Sequence, residues 1–164
     1  PLTFAGRLMH LGRYGGDAES PLMRDLSVGY PSLVRGYEPG SFTAAECAVS
    51  SAQSVNCPTF DRLFGSRMAV ANAELRLSLT GYRGLLANSG LPPIEIAPFF
   101  DAGMAWRSQD LARALNVARK PVSSYGVSMR FNVLGFFIGQ LSFVRANDRP
   151  GKGWGWEFSF TPGF

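Results

Sequence analysis

The chain has 164 residues and a formal net charge of +4; 46% of it is hydrophobic and only 17% charged, with 19 glycines and 13 phenylalanines. Soluble domains carry about 25% charge, and the mild, scattered positive balance here has no basic run, which excludes a nucleic-acid-binding stripe. The sequence has no apolar window of about 18 residues, so a transmembrane helix is excluded, and PLTFAGRLMHLGRYGG lacks the charged start and apolar core of a signal peptide.

In chain order, residues 2–14 alternate, with Leu2, Phe4, Leu8 and Tyr14 opposite Thr3, Arg7 and Arg13. This predicts a strand. Residues 15–65 form a long excursion, and connections beyond about 15 residues are generally functional or disordered. The excursion contains PSLVRGYEPGSF (31–42), where Arg35 stands between Val34 and Gly36 in a glycine- and proline-rich setting. Taken alone, Arg35 is a solvated loop arginine. Further on, Cys47 and Cys57 lie ten residues apart in the small, polar stretch ECAVSSAQSVNC. The single histidine, His10, is remote, so a zinc ligand set is missing. A local disulfide, which implies an oxidising compartment, is the preferred reading and two unpaired thiols the alternative.

Residues 67–79 alternate over about a dozen positions, twice the usual strand length. Ala69, Ala71, Ala73, Leu75, Leu77 and Leu79 oppose Asn72, Glu74, Arg76 and Ser78. In 94–106, Ile94, Ile96, Phe100, Met104 and Trp106 oppose Glu95, Asp101 and Gly103. Residues 107–121 are a polar loop with helical character. The 124–134 segment sets Tyr125, Val127, Met129, Phe131 and Val133 against Ser124, Ser128, Arg130 and Asn132. After a tight turn at Leu134–Gly135, 135–145 places Phe137, Leu141 and Phe143 opposite Gln140 and Ser142. The final stretch sets Trp154, Trp156, Phe158 and Phe160 against Glu157, Ser159 and Thr161.

Six long strands result. The alternative is a water-soluble sandwich or barrel with the apolar face inward. Against it stand flat rows of Ala, Phe and Trp, and aromatics gathered at strand ends (Trp106, Tyr125, Trp154, Trp156), as in the girdles of outer-membrane barrels. Strands of this length suit a tilted membrane crossing. The predicted fold is therefore an all-β transmembrane antiparallel barrel whose charged face lines a wet lumen. With Leu134–Gly135 on the periplasmic side, alternation puts the 15–65 loop and both cysteines outside.

LVRGY (33–37), ANAELRL (71–77), FFDAGMAW (99–106) and a terminal phenylalanine together resemble the BamA/TamA superfamily of outer-membrane proteins, also called bacterial surface antigens. The resemblance covers essentially the whole chain. It implies a sixteen-stranded barrel, which at about ten residues per strand needs roughly 160 residues before any loop. Residues 1–164 are then expected to be the carboxyl-terminal six strands of one barrel domain within a longer chain, with a separate subunit completed by other chains as the alternative.

The resemblance further implies that the loop motif Val34-Arg35-Gly36-Tyr37 folds into the lumen. There Arg35 pairs with wall carboxylates, which fall on Glu74 and Asp101. Phe164, with Trp156, Phe158 and Phe160, matches the aromatic carboxyl-terminal assembly signal, and the last strand forms a weak seam. The implied activity is protein insertion or translocation at the outer membrane of a Gram-negative bacterium, without cofactor or metal. The implied partners are outer-membrane lipid and lipopolysaccharide, client barrel proteins or envelope-complex subunits, and the missing strands. The alternatives are a membrane anchor or passive pore for a fused amino-terminal domain, and a scaffold subunit of a larger envelope complex. Enzyme chemistry is not expected: neither a Gly-x-Ser-x-Gly elbow nor a phosphate-binding glycine loop occurs. An arginine beside Glu74 and Asp101 would hold both ionised, against a hydrolytic carboxylate dyad.

Overall fold

A computed structural model describes residues 2–51, 54–81, 84–86, 91–107, 120–133, 137–149 and 151–162; at 48–51, 54–56, 133 and 161–162 only the backbone is considered. The first strand, β1, spans Leu2–Gly12. The long loop carries short elements only: β2 (Leu26–Ser27), β3 (Ala48–Ser51), β4 (Ser54–Asn56), the single-turn helix α1 (Pro58–Asp61) and β5 (Phe64–Gly65). Then follow β6 (Arg67–Ser78), β7 (Ile94–Trp106), β8 (Val122–Val133), β9 (Phe137–Ala146) and β10 (Gly155–Pro162).

The six long strands form one antiparallel sheet in the order β1-β6-β7-β8-β9-β10. The fold is all-β. Period-two alternation gives the sheet two unlike faces. The inner face, against which the loop packs, buries polar residues: Asp101, Ser124 and Ser128 are wholly inaccessible and Ser142 nearly so. The outer face exposes Leu2, Phe4, Leu8, Leu75, Phe100, Val127, Phe137, Trp156, Phe158 and Phe160. This is the reverse of a water-soluble sheet, where apolar residues turn inward. It is the pattern of a strand that alternates between lipid and lumen.

The hydrophobic core lies between the loop and the inner face. Val28, Val34, Tyr37 and Leu63 from the loop are wholly buried against Met68, Val70, Ala105, Val122 and Ala146. Each such aliphatic side chain contributes about 1.5–3 kcal/mol of burial energy. Gly103 makes this approach possible, because a Cβ there would stand 2.6 Å from a Val34 methyl.

Three features differ from the sequence reading. Strand β1 ends at Gly12, although the Arg13 amide still donates to the Ser66 carbonyl in the same register. Trp106 has the parity of the outer face yet is only 9% exposed. The His10 ring stacks on it at 5.6 Å, and Gly65 of β5 lies against its backbone, so it is no part of an open aromatic girdle. The loop itself is partly built, with β2 paired to β5 and β3 to β4. The helical character expected within 107–121 falls mostly on 108–119, outside the described residues, as does the turn at Leu134–Gly135. The Cys47–Cys57 disulfide is formed and closes the β3–β4 hairpin.

Candidate functional site

The loop tip is shaped before it reaches the sheet. Leu33 and Val34 both donate their amides to the Tyr30 carbonyl, at 2.8 and 3.0 Å, closing a tight turn. Gly36 then takes φ +86°, a left-handed conformation that glycine adopts without a Cβ penalty. The chain thus reverses within one residue of Arg35 and projects that side chain toward β6 and β7.

Arg35 meets Asp101 as a fork. Its Nε donates to Oδ2 at 2.6 Å and Nη2 to Oδ1 at 2.8 Å, and its backbone amide adds a 3.3 Å contact to Oδ2. Such bidentate, charge-assisted pairs fix orientation as well as charge. Asn72 donates to Asp101 Oδ1 and to the Leu33 carbonyl, both at 2.7 Å, joining the wall to the loop backbone. Nη2 of Arg35 also lies 2.9 Å from Glu74 Oε1, and the guanidinium rests 3.5 Å above the Phe99 ring. Glu74 is shared: Arg130 grips both its oxygens at 2.8 Å and Arg76 reaches Oε2 at 3.0 Å. Arg130 in turn donates to Gln140 at 2.8 Å. Three arginines thus converge on two carboxylates; Arg35, Glu74 and Asp101 are buried while Arg76 stays exposed at 38%, so the loss of Arg35 strands the buried Asp101.

The next two residues of the motif bind elsewhere. The Gly36 amide donates to Glu157 Oε2 on β10 at 2.7 Å, and its carbonyl accepts from Arg149 Nη1 at 2.9 Å. The wholly buried Tyr37 donates its hydroxyl to the Ser123 carbonyl at 2.7 Å and accepts the Asp148 amide at 3.1 Å. Burial raises the Tyr37 hydroxyl pKa well above its ordinary value, so it stays a neutral donor.

Arg149, in the turn before β10, clamps a second loop segment. It grips both Glu46 oxygens at 2.7 Å, donates to the Ser41 hydroxyl and carbonyl at 2.8 Å, and covers the Phe42 ring at 3.8 Å. These bonds lower the Glu46 carboxyl from 4.5 to about 2.

Of the candidate residues, the structure brings Arg35, Glu74 and Asp101 into one cluster. It sets Val34 against Gly103, and Gly36 and Tyr37 against β10 and the turn before it. Trp156, Phe158 and Phe160 are exposed on the outer face, and Trp156 packs on Phe143 at 4.8 Å. Phe164 lies outside the described residues. Sequence reasoning missed Arg149, Glu157 and Phe99 as site residues. Glu157 and Phe99 share the inner parity, so strand phase could have found them. Arg149 sits in a turn, where no periodic signal exists.

The sequence matches the Omp85 superfamily domain over residues 1–161. The chain belongs to the Omp85 superfamily. This agrees with the BamA/TamA likeness of its motifs, and the superfamily is one of outer-membrane proteins that insert or translocate other proteins. No curated protein and no solved structure matches the chain. The exposed apolar outer face of the sheet has the character of a lipid-facing surface.

Proposed function

We propose that this Omp85 chain is the carboxyl-terminal six strands of one outer-membrane barrel in a Gram-negative bacterium, and that the barrel inserts or translocates proteins through a weak seam at its last strand. The docked Val34-Arg35-Gly36-Tyr37 tip braces the wall while the seam works. The observation that carries this reading is the Arg35–Asp101 fork, buried on an otherwise polar wall and joined to Glu74.

The last strand adds support. β10 has only eight residues and, among the described residues, pairs with β9 alone, which leaves its other edge without a partner strand there. Such an edge offers its backbone to an incoming client strand by β-augmentation. A passive anchor for a fused domain needs neither a braced lumen nor a weak final strand.

Arg35→Ala removes one partner of a buried charge cluster, a change that costs about 3–5 kcal/mol. The expected outcome is lower heat resistance on cold gel electrophoresis, loss of protease protection at 31–42, and reduced insertion of an unfolded barrel client into proteoliposomes. Full insertion by a variant with an undocked loop would refute the bracing role.

A further inference from the structure

We propose that Glu157 is a positioning residue that ties the docked loop to β10, so that release of the loop tip and loosening of the last strand are one coupled event. The inference deepens the seam reading and takes its functional meaning from it.

The geometry lies in two consecutive residues of the loop. Arg35 holds Asp101 on β7 and Glu74 on β6. Gly36 is held by Glu157 on β10 and by Arg149 in the turn before it. In the sheet, β8 and β9 stand between β7 and β10. The loop tip therefore links strands that do not touch, across the inner side rather than through the ladder. A Cβ on Gly36 would come within 3.2 Å of Val144 on β9, so the tip fits closely against the wall between its two anchors.

The anchors are unequal. Asp101 receives Nε, Nη2 and the amide of Arg35 and the side chain of Asn72. Glu157 receives the Gly36 amide on Oε2, while its buried Oε1 has no hydrogen-bond partner among the described residues. The Glu157 contact is therefore the weaker anchor, and its loss loosens both β10 and the tip at Gly36. Undocking at Arg35 withdraws Gly36 from Glu157 as well.

The test is amide hydrogen exchange on the full-length protein in lipid nanodiscs, following 31–42, 94–106 and 155–162. Arg35 bonds to β6 and β7, yet Arg35→Ala is expected to speed exchange in 155–162 by roughly five- to tenfold, at the lower end of coupling between sites. Glu157→Ala should do the same, Arg35→Ala should add little in that background, and Glu157→Gln, which keeps an acceptor for the Gly36 amide, should restore slow exchange. Arg35→Lys serves if Arg35→Ala does not assemble, and faster exchange of 31–42 in Glu157→Ala is the reciprocal arm. Unchanged exchange in 155–162, independent addition of the two effects, or, in Glu157→Ala, an equal rise in 94–106 would each overturn the tie. Client insertion is read separately in the same variants. Coupled exchange with intact insertion sinks the seam reading and leaves the tie standing; uncoupled exchange with lost insertion does the reverse.

Discussion

Gly36 and Glu46 show how single residues set the loop's position. Gly36 holds φ +86° with both its backbone polar groups engaged. Alanine there incurs the left-handed penalty, of order 1–3 kcal/mol, and meets Val144. Gly36→Ala should therefore lower the thermal denaturation midpoint and open 31–42 to protease, with the charge cluster unaltered in composition. Glu46 governs the response to acid. Its pKa is near 2 when gripped by Arg149 and 4.5 when free, so the folded state binds its proton less readily. The stabilisation is complete above about pH 4.5 and is lost as pH falls toward 2. Protease protection of 41–46 should fall across that window, and Arg149→Ala should remove the dependence. A profile unchanged by Arg149→Ala would show that another group titrates.

Among the elements, the β3–β4 hairpin is stapled by Cys47–Cys57 and held on both sides of the staple. Glu46 precedes Cys47 and grips Arg149; Thr59 follows Cys57 and donates to the Asp148 carbonyl at 2.8 Å. Closing a chain of about ten residues stabilises by roughly 2–3 kcal/mol in the chain-entropy description. Reduction, or Cys47→Ser with Cys57→Ser, should expose 48–56 to a broad-specificity protease while 31–42 stays protected, because the Arg35 anchors lie outside the staple. Loss of both protections together would show that the hairpin carries the tip. The long strands were legible in the sequence because period two assigns every residue a face; Glu74 and Asp101 could be phased without knowing their partners. Elements of two to four residues within the loop carry no period, and a bond from the Gly36 amide has no side-chain signature.

At the scale of the described sheet, serines and carboxylates are buried on the inner face beside the loop's apolar core, while leucine, phenylalanine and tryptophan side chains stand exposed on the outer face. Arginine in place of Phe100, 50% exposed on the outer face of β7, should cost about 2–4 kcal/mol if that position lies near mid-membrane. The measurement is the folding free energy into bilayers of defined thickness. A water-facing Phe100 would tolerate the change and refute the lipid assignment. The all-β class and the alternation were legible because a strand turns successive side chains to opposite faces, so each face keeps its own composition. The cover on Trp106 was not, since His10 reaches it from two strands away in the paired sheet and Gly65 through the folded loop.

The chain order of the loop's partners bears on biogenesis. Residues 35–37 precede every group that holds them: Glu74 and Asp101, then Ser123, Asp148 and Arg149, and finally Glu157. During synthesis the tip has nothing to bind until most of the chain has followed it, and Gly36 waits for the last strand. A product cut short after β8 could seat Arg35 but would leave Gly36 without its acceptor. Loop protection thus reports that the strand bearing Glu157 has joined the sheet.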